Sequence, residues 1–134
     1  YYGDKKVAGI LVENAILGNE VKYSIAGIGL NVNQTTFVSD APNPISLKQI
    51  TGKEYDIDAL MQQVYAKVQE TLNEEVWEEY KNHLYRRDGF RKYEDQNGIF
   101  EARIIDVLPT GEIVLCDRNG QNRTYGFKQI KYIL

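Results

Sequence analysis

Lys6 stands at the head of an apolar run, Lys6-Val7-Ala8-Gly9-Ile10-Leu11-Val12-Glu13-Asn14, and a turn at Gly18-Asn19 leads to a second run ending Gly27-Ile28-Gly29-Leu30-Asn31-Val32-Asn33. An ammonium group suits contact with an anion, because it is a compact positive point charge. Gly9, inside a run of branched residues, marks close approach by backbone or ligand, since glycine weakens a strand interior. If residues 21–33 form a strand, Ala26, Ile28, Leu30 and Val32 share one face, and Gly27, Gly29, Asn31 and Asn33 share the other. The first face calls for a core. The second offers bare backbone and two amides to something planar or extended, with Lys6 at its mouth to neutralise negative charge on a phosphate. Two plainer readings stand beside this: Lys6 as a solvated turn lysine, and Asn31 as an amide bonded to neighbouring backbone. Asn31 can both donate to and accept from a ligand; Asn33 has the same capacity. The Gly27/Gly29 spacing is not a dinucleotide fingerprint, which places its glycines in a strand-to-helix turn.

Other reactive side chains carry less. His83, the single histidine, lies on a charged helical stretch without a cluster of metal-ligand residues, so no metal site is read from the sequence. Glu13 is a carboxylate in an apolar strand with no second carboxylate spaced for acid–base work. Cys116, the single cysteine, sits in an apolar run and reads as an inert thiol. Arg86, Arg87, Arg91 and Lys92 alternate with Tyr85, Phe90 and Tyr93, but Asp88, Glu94 and Asp95 interrupt them. That pattern favours interdomain packing over a nucleic-acid surface, as does a net charge of -3 with a pI near 5.2. The 134 residues hold no stretch long and apolar enough to span a bilayer and show no leader pattern, which with the lone thiol places the expected compartment in the cytoplasm.

The elements that must position these residues follow from periodicity. Residues 6–14 and 21–33 read as strands, apolar enough to require cover on both faces. A polar loop with Pro42 and Pro44 spans 34–45. Ser46 and Gln49 have capping-box spacing for a short helix that Gly52 ends. A longer helix starts at Asp56, with Ile57, Leu60, Met61, Val64, Val68 and Leu72 on one stripe. Trp77, Tyr80 and Leu84 belong to a continuation or a second helix. From Ile99 onward, short alternating segments turning at Pro109-Thr110-Gly111 and Asn119-Gly120 predict a small β-barrel.

The two glycine-bearing segments together resemble the central strands of biotin protein ligases, and the Pro44-Ile45-Ser46-Leu47 helix start, helical pair and terminal β module follow in the same order. The resemblance implies an α+β (α/β) fold: a fragment of a mixed sheet with helices, akin to class II aminoacyl-tRNA synthetases, over 1–95, and an SH3-like barrel over 96–134. It implies ATP-dependent attachment of biotin to a lysine of a biotin carboxyl carrier protein through biotinyl-AMP, with ATP, biotin and Mg²⁺ as cofactors. Lys6 would be the catalytic residue; Gly9, Ile10, Gly27, Gly29 and Asn31 would line the biotin and adenylate pockets. The family's glycine- and arginine-rich loop and its Lys-Trp-Pro-Asn-Asp segment have no counterpart here. The expectation is therefore the C-terminal portion of such a ligase, inactive alone and prone to self-association or to pairing with the missing half. A lipoate ligase and a non-enzymatic protein-binding module are the competing readings.

Overall fold

A computed structural model describes residues 1–38 and 42–133. The middle of the expected proline loop, Ser39 to Ala41, lies outside the described residues, as does Leu134. Residue contacts divide the chain into two units, Tyr1–Gln69 and Glu70–Leu134.

In the first unit, β1 (Ala8–Leu17) and β2 (Glu20–Leu30) form a two-stranded antiparallel ribbon. Gly9 lies opposite Gly29, Leu11 opposite Gly27, and Ile10 opposite Ile28, with an irregularity between Ala15 and Ile16. Beside this ladder runs one parallel bridge, Lys6 to Pro44, so parallel and antiparallel pairing coexist in the unit. The apolar character of the ribbon implied cover on both faces, yet Ile10, Leu11, Val12, Ile16, Leu17, Val21, Tyr23, Ile25 and Ile28 are all exposed. Helix α1 (Leu47–Thr51) forms as its capping box predicts. Ser46 Oγ accepts from Gln49 N at 3.2 Å, and Gln49 Oε1 accepts from Ser46 N at 3.1 Å. Gly52 closes it at φ 73°, a left-handed conformation that favours glycine. Ser46 is fully buried beside Val32 and Ile45, so its cap sits at the small core of this unit. Ser46→Ala should lower stability by about 1 kcal/mol, the usual weight of a lost N-cap, which a denaturant midpoint would register. Helix α2 (Ile57–Thr71) starts after Asp56, whose Oδ1 accepts from Ala59 N at 3.0 Å. Its apolar stripe is present but largely open: Ile57, Met61 and Val68 are exposed, as is Leu72 just past its end.

The second unit begins with helix α3 (Trp77–Asn82), followed by β3 (Arg91–Asp95), β4 (Gly98–Val107), β5 (Ile113–Asp117), β6 (Asn122–Tyr125) and β7 (Lys131–Tyr132). The strands form one antiparallel sheet in the order β6-β5-β4-β3-β7. This overturns the expected SH3-like barrel: the sheet is open, with β6 and β7 as edges and, among the described residues, no ladder between them. After Tyr125 the chain turns through 126–129 and delivers the two-residue β7 to β3, where Tyr132 pairs with Tyr93. A strand that short cannot supply a closing ladder. The sheet also gains β3, which the sequence hid: Arg91, Lys92, Glu94 and Asp95 mask the alternation around Tyr93. The core is Tyr93, Ala102, Ile104 and Leu115, packed by Leu84, Phe100, Ile113, Tyr125 and Ile130.

A polar network ties β6 to the ends of β3 and β5. Tyr125 Oη donates to Asp95 Oδ2 at 2.7 Å, Asp117 Oδ1 accepts from Gln121 N at 3.0 Å and Asn119 N at 2.9 Å, and Arg123 Nη2 donates to Asp117 Oδ2 at 3.1 Å. The Arg123 guanidinium lies over Phe100, 4.7 Å from the ring centre. The tyrosine hydroxyl chiefly holds the Asp95 carboxyl below its ordinary range, and the Gln121 amide chiefly does so for Asp117. Carboxyls with folded values below their unfolded ones stabilise above the ordinary aspartate pKa near 4. That contribution is lost as pH falls through the folded values. Thermal melting followed from about pH 6 to about pH 2 should therefore show an acid-induced drop, and Tyr125→Phe should move its midpoint to higher pH. An unchanged midpoint would remove Asp95 from the network's account.

Candidate functional site

Lys6 enters the ribbon fixed on three sides. Its N–H donates to Asn43 O at 2.9 Å, and its carbonyl accepts from Ile45 N at 3.0 Å and from Asn31 Nδ2 at 3.3 Å. The side chain itself is exposed and lies over Gly9: a β-carbon built on Gly9 would sit 3.6 Å from Lys6 Cε and 3.7 Å from Nζ. Because directly opposed residues share a face, Gly9, Gly29 and Gly27 lie on one face of the ribbon, where Leu11 opposite Gly27 is the large side chain beside them and Lys6 lies over Gly9.

The glycines are not demanded by the fold. None of Gly9, Gly27 and Gly29 has a positive φ. Beyond the lysine contact at Gly9, a β-carbon would come no closer than 3.9 Å to protein at Gly27 and 3.8 Å at Gly29. These are ordinary van der Waals separations. The missing side chains thus leave open surface on which a ligand can lie without displacing protein atoms, the property an extended or planar adenylate would need.

Ile10 does not share this surface. Its register with Ile28 places it on the reverse face of the ribbon, since a one-residue step inverts the side. Asn31 lies at the end of the ribbon and its amide turns to backbone: Nδ2 donates to Lys6 O at 3.3 Å and to Ile45 O at 3.2 Å. Its own N–H donates to Val7 O at 2.9 Å, and its carbonyl accepts from Leu47 N at 3.0 Å. Asn33 behaves alike, donating to Tyr55 O at 2.8 Å and accepting from Tyr55 N at 3.0 Å. The sequence offered the amides but not their partners, which lie 14 to 25 residues away in the chain.

The remaining candidates stay apart. His83 Nδ1 lies 2.8 Å from Glu79 O at the end of α3. Arg86 donates to Ile133 O at 2.7 Å, and Arg87 bonds Asn82. Cys116 Sγ is 3.6 Å from Asp117 O. Among the described residues no three His, Cys, Asp or Glu side chains come together as a metal site. No helix among them is long and apolar enough to cross a membrane. An open cleft of about 1020 Å³ in the second unit is lined by Glu94, Asp95, Arg123, Tyr125 and Lys128 among others; Asp95 and Arg123 serve the polar network just described, and Glu94 pairs with Lys131.

No protein-family model and no curated protein matches the chain. Solved structures do. The apo structure of biotin protein ligase from Aquifex aeolicus matches with a TM-score of 0.70 at 22% identity, over 98% of this chain and 60% of that one. The same enzyme in complex with biotin and ATP matches with a TM-score of 0.71 at 21% identity, over 99% of this chain and 59% of that one. A further crystal structure of it gives 0.71 at 22% identity, over 98% and 60%. The chain therefore spans about 60% of the length of these proteins. Across nearly its whole length this chain has the fold of the matched part of biotin protein ligase.

Proposed function

We propose that the chain is part of a biotin protein ligase, in which ATP and biotin form biotinyl-AMP and the biotinyl group passes to a lysine of a biotin carboxyl carrier protein. The supporting observation is the Lys6 ammonium held against Gly9, on a face that also carries Gly27 and Gly29, three glycines that the backbone itself does not require. The adenylate would lie along the Gly9–Gly29–Gly27 surface. Lys6 would offset the negative charge that develops as the biotin carboxylate attacks the α-phosphorus and pyrophosphate departs, a type of electrostatic stabilisation that is strong when the donor is already in place. In the second step the acceptor amine attacks the mixed anhydride and AMP leaves. Mg²⁺ would enter with the triphosphate and neutralise its charge. Asn31 has both amide hydrogens engaged with backbone, which leaves Oδ1 as its ligand-facing atom. Ile10 would contribute from the reverse face of the ribbon. With a single thiol and reducing chemistry in view, the cytoplasm is the compartment that suits this reaction.

The test is ATP–pyrophosphate exchange driven by biotin, measured in a protein carrying the remainder of the shared fold. Exchange with biotin and none with lipoate supports the reading. Exchange with lipoate alone would transfer the assignment to the related acyl ligases, and exchange with neither would favour a protein-binding module. The 134-residue chain alone should show negligible exchange.

A further inference from the structure

We infer that Asn31 is a positioning residue, whose amide hydrogens hold the Lys6 backbone in place. Only this positioning role is new, and its bearing on catalysis rests on the reading of Lys6 given above.

The geometry is specific to an amide. Asn31 Nδ2 carries two hydrogens, and two carbonyls face it, Lys6 O at 3.3 Å and Ile45 O at 3.2 Å. Among the described residues Oδ1 has no protein partner. The two carbonyls belong to the segments that meet at the parallel Lys6–Pro44 bridge, where Ile45 N also donates to Lys6 O at 3.0 Å. The side chain therefore clasps the start of the ribbon to the segment leading into α1. Ile45 and Ser46 on that segment are buried, which makes it the firm side of the clasp. Lys6, by contrast, is exposed and sits at the entry to a ribbon whose apolar side chains are also exposed. Among the described residues, the other bonds that hold the Lys6 backbone are backbone ones, to Asn43 and Ile45. A ligand-contacting role would use Oδ1; a positioning role uses Nδ2. The two are separable because aspartate keeps the oxygen and the volume but presents an acceptor, instead of two donors, to both carbonyls.

The test is competitive acetylation of the chain with limiting acetic anhydride, read by mass spectrometry as the labelling of Lys6 relative to Lys5 and Lys22. Asn31→Asp and Asn31→Ala should each change the Lys6 ratio by about fivefold, the equilibrium weight of one net hydrogen bond. Asn33→Ala removes a comparable double tether, the one to Tyr55, and should leave the ratio unchanged while circular dichroism reports the same fold. An unaltered ratio in both folded Asn31 variants would overturn the inference, as would an equal change in Asn33→Ala. Should Asn31→Asp not fold, Asn31→Ala carries the comparison. Because acetylation needs no enzymatic activity, this result stands apart from the functional reading. Exchange assays on the completed protein then bear on catalysis: lost exchange in Lys6→Ala with intact exchange in Asn31→Asp would restrict Asn31 to structure.

Discussion

Replacing Lys6 with alanine in the completed protein should lower biotin-dependent pyrophosphate exchange by about 100- to 1,000-fold, the range seen when one preorganised charge-stabilising donor is removed from a reacting centre. The basis is its placement. The Nζ atom lies over Gly9 at the glycine-bearing end of the ribbon, and its exposed position allows it to meet a phosphate or carboxylate arriving there. Lys6→Arg should recover little, because a broad planar guanidinium does not present the compact point charge of an ammonium. The loss should appear in the chemical step. If Lys6→Ala raised KM for ATP while leaving kcat intact, the lysine would be a binding residue that treats ground and transition states alike. Wild-type exchange in both variants would remove Lys6 from the site altogether.

The isolated chain should self-associate at micromolar concentration. Residues Ile10, Leu11, Val12, Ile16, Leu17, Val21, Tyr23, Ile25 and Ile28 lie exposed on both faces of a ribbon only two strands wide. Two-stranded hairpins are marginal alone, and unpaired apolar edges are templates for further pairing. The exposed stripe of α2 adds Ile57, Met61 and Val68. Sedimentation velocity should show dimers or larger species. Val12→Lys and Ile25→Lys, which their register places on opposite faces, should together weaken association about tenfold or more by putting charge into an apolar contact. A clean monomer of the unaltered chain at micromolar concentration would show that the ribbon tolerates water as it stands.

The exposure of the ribbon also explains why the glycines are informative. In a packed sheet, glycine at 9, 27 and 29 could serve a close approach of neighbouring protein. Here the nearest protein atoms leave ordinary room for a β-carbon. The glycines are thus not explained by contacts among the described residues, and a ligand or another polypeptide is the use that fits them.

Local chemistry alone determined much of this molecule. The capping box of Ser46 and Gln49, the glycine stop at 52, the start of α2 at Asp56 and the turn at Gly18-Asn19 all depend on residues within a few positions of each other, so sequence spacing was sufficient. The lysine and glycine pattern of the ribbon was equally legible, because alternation along a strand assigns faces without further information. Tertiary structure decided the rest. It directed the Asn31 amide to two backbone carbonyls distant in sequence and left the terminal sheet open by sending β7 to β3. Each of these outcomes depends on which distant segments meet, and hydrogen-bond partners separated by tens of residues leave no periodic trace in the chain.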